Sequence, residues 1–251
     1  MPTCTCEVCQ SQDPHDNRLR CSALVETDDG KQILVDCGPD IRIQALRAGI
    51  QRLDALLLTH NHFDHCYGID DLRPWAYNTP LDTYADRLMS EALRTRWDYI
   101  FIHRYPGVPQ LPLHTLYPSH GDAFSIGNAL ITPIRCMHGK LPILGFRIAD
   151  LGYITDCTEI VARDYPKLYG IDTLIIDALR WKEHPTHYSV AQAMQVVDRL
   201  QPRQTYFTHM SHDIGLHCDF ERRLHQELGD RYPATLLDTV HLAYDGLTFT
   251  I

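Results

Sequence analysis

His60-Asn61-His62-Phe63-Asp64-His65 places three imidazoles and a carboxylate within six residues. Neutral imidazole suits zinc and its neighbours in the first transition row, a carboxylate binds the same ions, and a catalytic site keeps one position open for water. In a helical H-E-x-x-H site the two histidines stand four apart on one face. His60 and His62 stand two apart and share a face only where the backbone is extended. The residues ahead of them supply that extension: Leu53-Asp54-Ala55-Leu56-Leu57-Leu58 is a short apolar run of the kind a buried parallel strand shows, and Thr59 leads straight into the histidines. The ligands therefore hang on a loop at the carboxyl end of a strand, where open α/β sheets bind their ligands. A loop that is merely exposed and histidine-rich has no reason to follow a buried strand so closely.

The rest of the chain must position this loop. Strand candidates cover 22–26, 32–35 and 53–58, with Asp28-Asp29-Gly30 as a hairpin turn between the first two. A helix is predicted over 40–48, ending at Gly49. An amphipathic helix is predicted over 84–97, followed by an irregular, Pro-rich segment over 103–118 of the kind that forms a lid or rim. Strands return at 123–126, 130–134, 145–148, 153–155 and 173–176. Ser189-Val190-Ala191-Gln192 has the spacing of a capping box and starts a helix to about Leu200. A strand at 204–207, a helix at 220–228 and a closing hairpin over 240–251 around Asp245-Gly246 complete the series. Strands first, with helices between the later strands, predict two sheets with helices outside.

Three of these strands end on further ligand-type residues: His138, Asp156 and His209. Each alone is a routine loop residue, and an aspartate after a strand is commonly a turn or cap. As a series, H-x-H-x-D-H, then His, Asp and His after successive strands resembles the metallo-β-lactamase superfamily of binuclear hydrolases over nearly the whole chain. The resemblance implies an α/β (α+β) fold, a four-layer αββα sandwich, as a single domain over 1–251 with a thiol segment at 1–20 and a helical and irregular rim insertion at 85–120. It implies that His60, His62 and His138 bind one zinc or manganese ion, that Asp64, His65 and His209 bind a second, and that Asp156 bridges. Such a pair lowers the pKa of a bridging water to near neutrality and neutralises charge on the attacked group. Hydrolysis by the hydroxide so formed follows, without a choice between phosphorus and carbonyl carbon.

Cys4-Thr5-Cys6-Glu7-Val8-Cys9 sets three thiols within six residues, tight enough to wrap one zinc that wants a fourth ligand. The residues leave His15, Cys21 and His212 as candidates. A C-x-C-x-x-C segment followed by Asp13-Pro14 and Arg18-Leu19-Arg20 resembles the PhnP-like phosphodiesterases. There the fourth ligand is the second histidine of a T-H-x-S-H motif, here Thr208 to His212, so the resemblance implies one structural zinc on Cys4, Cys6, Cys9 and His212. It also implies that His187, just before the cap at Ser189, stands near the scissile phosphate and protonates the leaving alkoxide. Asp177, at the end of a strand, is placed to orient it, and Lys140, two residues after a ligand, is a candidate phosphate contact. Relatives begin with a strand and a G-T-G-x-S turn before the cysteines. Here Met1 stands three residues before Cys4, so either that usual first strand is absent or the start lies upstream.

Composition narrows the partners. With 23 basic and 32 acidic side chains the net charge is −9, against broad electrostatic capture of nucleic acid. No apolar run is long enough to cross a membrane and the first residues lack a signal-peptide profile, so a cytoplasmic location is expected. Nine cysteines form no even disulfide framework. Cys37, Cys66, Cys136, Cys157 and Cys218 read as small core residues. The resemblance to the PhnP-like enzymes implies hydrolysis of a small cyclic phosphodiester such as 5-phosphoribosyl 1,2-cyclic phosphate, and by family analogy a homodimer. The alternatives are tRNA 3′-end processing of the tRNase Z type, a PqqB-like role in quinone-cofactor biosynthesis, and a non-enzymatic metal-binding protein.

Overall fold

The computed structural model describes residues 1–103, 105–118 and 123–251. The chain divides into two compact units, one formed by Arg20–Pro133 and the other by Met1–Leu19 with Ile134–Ile251. In the Arg20–Pro133 unit, β1 (Ala23–Glu26), β2 (Gln32–Val35), β3 (Ala55–Leu57), β4 (Asp82–Asp86) and β5 (Leu113–Leu116) form one sheet in that order. β1 and β2 are the expected antiparallel hairpin, and the remaining neighbours are parallel. Every residue of β3 is buried, which is why it reads as an unbroken apolar run. The helix Ile41–Ala48 ends at Gly49, whose φ of 65° is the left-handed C-cap conformation that glycine adopts without a Cβ penalty. Leu34, Leu56, Leu58, Ile69, Leu72, Met89, Leu93 and Trp97 pack into this unit's core.

Two expectations for this unit are corrected. The predicted helix over 84–97 starts later: Asp82–Asp86 is strand β4, and Asp86 accepts the Met89 N–H at 2.9 Å to cap the helix Arg87–Arg96. The segment expected to be irregular holds β5, whose pairing with β4 runs from Thr83 opposite Leu113 to Asp86 opposite Leu116. Arg104 and the last residues of the expected 85–120 rim lie outside the described residues.

The second sheet is built from β6 (Phe124–Ile126), β7 (Ala129–His138), β8 (Leu141–Ile148), β9 (Leu151–Ile154), β10 (Glu159–Ile160), β11 (Thr173–Asp177), β12 (Gln204–Thr208) and β13 (Val240–Leu242). Its order is β10-β7-β8-β9-β11-β12-β13, with β6 on β7. β9, β11, β12 and β13 are parallel neighbours. Ser189 forms the predicted capping box with Gln192 at the head of the helix Val190–Leu200, and the helix Phe220–Leu228 has its predicted bounds. Met194, Val197, Phe207, Leu224 and Val240 belong to this unit's core.

Here too the structure differs from the sequence reading. β7 and β8 extend to the turn at Gly139-Lys140, longer than predicted, and β10 had no sequence signal at two residues. No closing hairpin forms over 240–251: β13 pairs in parallel with β12, and residues 243–251 add no strand. Four of the five cysteines expected in the core are buried, but Cys218 is exposed in a surface 3-10 turn over His217–Asp219. Among the described residues no helix is long and apolar enough to cross a membrane.

Candidate metal centres

In the Arg20–Pro133 unit the 60–65 loop follows β3 and is fixed from behind by Asp36, the residue directly after β2. Asp36 is fully buried and adopts φ 60°, an uncommon conformation for a residue with a side chain. Its carboxylate accepts the Thr59 N–H (2.9 Å), the Thr59 hydroxyl (2.8 Å) and the Nδ1–H of fully buried His65 (2.7 Å). With its proton given to Asp36, the Thr59 hydroxyl accepts from His60 Nδ1 at 3.0 Å. Both rings are thereby held as the tautomer whose Nε2 is the bare nitrogen, the arrangement by which a carboxylate or hydroxyl behind a histidine orients it toward a metal. The ring of His60 lies 4.5 Å from that of His62 and 4.4 Å from that of His65. Asp64 Oδ2 stands 3.5 Å from His65 Nε2.

The backbone adds to this. Cys37 N–H donates to the His65 carbonyl, Gly68 N–H to the Cys37 carbonyl, and Arg96 to the Asn61 carbonyl. A Cβ on Gly38 would stand 2.0 Å from the Asp64 carbonyl oxygen, so only glycine allows the two loops to press together.

In the other unit, register does the positioning. Ile154 pairs with Ile176 and Asp177 with Thr208, so Asp156, Asp177 and His209 emerge at the carboxyl ends of three adjacent parallel strands. Asp156 and His209 both take positive φ, 52° and 54°, and His209 Nε2 lies 3.1 Å from Asp156 Oδ1. His138, the last residue of β7, donates Nδ1–H to the Thr186 carbonyl at 2.6 Å, which bares its Nε2. Burial lowers the His138 pKa, and the neutral ring so favoured is the ligating form. His187 donates Nδ1–H to Asp177 Oδ2 at 3.0 Å, and its ring stands 4.7 Å from His138 and stacks on His209 at 5.0 Å. Burial, and after it the charge of Asp156, push the Asp177 carboxyl up, while the His209 ring and the backbone N–H groups of Cys157 and Tyr188 favour its carboxylate form. Lys140 is exposed at the β7–β8 turn.

The thiol segment lies in this same unit. The Sγ atoms of Cys4, Cys6 and Cys9 stand 3.3, 3.3 and 3.6 Å from His212 Nδ1. Zinc–sulfur and zinc–nitrogen bonds of ordinary length would set a sulfur and a nitrogen about 3.5 Å apart on a tetrahedron, so this donor set fits one structural zinc. The Cys9 backbone N–H, and after it the His212 ring, lower the Cys6 thiol to about 6, toward the ligating thiolate. Of the other two candidates, His15 donates Nδ1–H to Asp13 (2.7 Å) and stacks on His217, and Cys21 belongs to the Arg20–Pro133 unit.

Sequence reading missed Asp36, Thr59 and Thr186. Asp36 had a signal, a carboxylate directly after a strand and two residues before a glycine. Thr186 acts through its carbonyl, which residue type cannot reveal.

The profile of a beta-lactamase superfamily domain matches residues 31–210. An octanoyltransferase of Porphyromonas gingivalis is 41% identical over 246 residues, 97% of this chain and 47% of that protein. A ribonuclease Z of a Bradyrhizobium species is 33% identical over 138 residues, 54% of this chain and 38% of that protein. The chain thus spans less than half the length of either relative. The solved structure of a diphosphatase from the PhnP family superposes with a TM-score of 0.83 at 36% identity, covering 98% of this chain and 89% of that one.

Proposed function

The chain belongs to the metallo-β-lactamase superfamily and, within it, to the PhnP family, and from that premise we propose that it is a metal-dependent hydrolase of small cyclic phosphodiesters, such as 5-phosphoribosyl 1,2-cyclic phosphate. The observation that carries the reading is the His187–Asp177 pair beside His138 and His209. An ester of phosphorus with a poor leaving group needs a proton delivered to the departing oxygen, and a buried carboxylate behind an imidazole stabilises the cation that delivers it.

In this reading His60, His62, Asp64 and His65 of the one unit and His138, Asp156 and His209 of the other would serve as metal ligands. Support comes from the donor chemistry of each unit: Asp36, Thr59 and Thr186 bare the Nε2 atoms of His65, His60 and His138. Two divalent ions, zinc or manganese, would supply a nucleophile at neutral pH and offset charge on the phosphoryl oxygens. The protein's own residues do the rest. Asp177 holds His187 with Nε2 toward the leaving group, and Lys140 at the adjoining turn contacts the phosphate. Cys4, Cys6, Cys9 and His212 would hold a third ion, a zinc that would tie the N-terminal segment to the loop carrying His209.

A second reading, tRNA 3′-end cleavage, has the ribonuclease Z likeness in its favour, and the net charge of −9 against it. Relative kcat/KM across a panel decides. The metal-loaded protein is expected to favour five-membered cyclic phosphodiesters by at least about tenfold over linear diesters, precursor tRNA, diphosphates and octanoyl thioesters, a difference of about 1.4 kcal/mol in transition-state stabilisation. Preference for any of the last three would replace the assignment.

A further inference from the structure

Residues 179–188 are pinned more firmly than a surface connection requires. Leu179 N–H donates to the Tyr188 carbonyl at 2.9 Å, and Arg180 donates to the carbonyls of Lys182 and Glu183. Trp181 Nε1–H donates to the Ile214 carbonyl at 2.8 Å, with the Arg223 guanidinium 4.4 Å from its ring centre. Within this segment Thr186 orients His138, and His187 is oriented by Asp177 at the end of β11, which leaves the purpose of His184 open.

The His184 ring is half-buried, with its centre 5.1 Å from that of His187. Its Nδ1 receives the Thr186 backbone N–H at 3.3 Å and lies 3.2 Å from the Thr186 hydroxyl. A backbone N–H only donates, so Nδ1 is the bare nitrogen and the neutral ring carries its proton on Nε2. Burial, then the neighbouring His187 and Arg180, lower the pKa of this ring and favour its neutral form. Among the described residues Nε2–H meets no acceptor. The loop therefore fixes an uncharged N–H donor beside the proton-delivering His187. The absence of a charge is useful there, because a second imidazolium would oppose protonation of His187.

We infer that His184 contacts the substrate, its Nε2–H donating to an oxygen of the phosphoryl group that is cleaved beside His187. The inference rests on the phosphodiesterase reading of that site. It separates His184 from a mere turn residue, since the turn uses only Nδ1 as an acceptor. Asparagine in its place keeps an acceptor for the Thr186 N–H, in the manner of an Asx turn, and lacks the distal ring N–H.

Two readouts test it on the full, metal-loaded chain: kcat/KM for a cyclic phosphodiester, and the affinity for inorganic phosphate by calorimetry. His184→Asn and His184→Ala are both expected to lower kcat/KM, and to weaken phosphate binding, by about 10- to 100-fold, the size of one hydrogen bond to a charged group. Metal content should stay at the wild-type value, because His138 keeps its Thr186 carbonyl. A His184→Asn variant that binds phosphate within threefold of wild type would overturn the inference, whatever the alanine variant does. Wild-type protein that binds phosphate but cleaves no diester would overturn the functional reading alone, since the phosphate comparison between wild type and His184→Asn still decides the role of His184.

Discussion

Asp64→Ala is expected to abolish phosphodiester hydrolysis while leaving the fold intact. Its carboxylate is the one anionic donor on the 60–65 loop, and the bound ions contribute several kcal/mol of charge stabilisation in two-metal hydrolases, so the loss in kcat should be on the order of 10³-fold or more. The fold should tolerate the change because the Asp64 side chain is 36% exposed, and surface substitutions of this kind usually stay within about 0.5 kcal/mol. The variant should therefore melt with the wild type when both are metal-free, hold one metal ion fewer when both are loaded, and be inactive. A stable Asp64→Ala protein that keeps its full metal content and turns over at the wild-type rate would remove this residue from the site.

The second large effect concerns His187 and depends on the leaving group. His187→Ala should lower kcat/KM by about 10²- to 10⁴-fold for diesters that release an alkoxide, the usual worth of general-acid catalysis. For bis(p-nitrophenyl) phosphate the loss should be under about tenfold, because nitrophenolate departs without a proton and a general acid has little to contribute there. Asp177→Asn should show the same pattern more weakly, since the Nδ1–H then meets an amide oxygen in place of a buried carboxylate. Equal losses on both substrates would mean that His187 holds the site together without delivering a proton.

These expectations draw on what the sequence made legible, and the boundary has physical causes. Ligand-type residues after buried strands were readable because a parallel strand leaves a continuous apolar run and its ligand stands just beyond: His60 after Leu58, Asp156 after Ile154, His209 after Phe207. The cap at Ser189 and the stop at Gly49 were readable because each is a local hydrogen-bond or φ requirement. β4 was not. Its five residues merge into the following helix, and their strand character comes from pairing with β3 on one side and β5 on the other, both distant in sequence. β5 was lost for the same reason inside a Pro-rich stretch.

The site shows the same division. Side chains that bind metal announce themselves by type, whereas the groups that aim them do so only through tertiary contact. Asp36 reaches His65 across 29 residues and Thr186 reaches His138 across 48. The positive φ of Asp36, Asp156 and His209 was equally hidden, because aspartate and histidine enter the left-handed region more often than most side chains but still seldom enough that residue type does not announce it. Three such residues at strand ends, all in or behind the proposed ligand set, fit the pattern of backbone strain collecting where function fixes geometry.

The account stands most directly on one titration. Protein stripped by a chelator of all metal outside the proposed Cys4, Cys6, Cys9 and His212 site is expected to show no hydrolysis of bis(p-nitrophenyl) phosphate, and to regain full turnover as two equivalents of zinc or manganese per chain are added, with no further gain beyond. Protein that takes up both equivalents and still cleaves no phosphodiester, or that turns over fully without them, would contradict it.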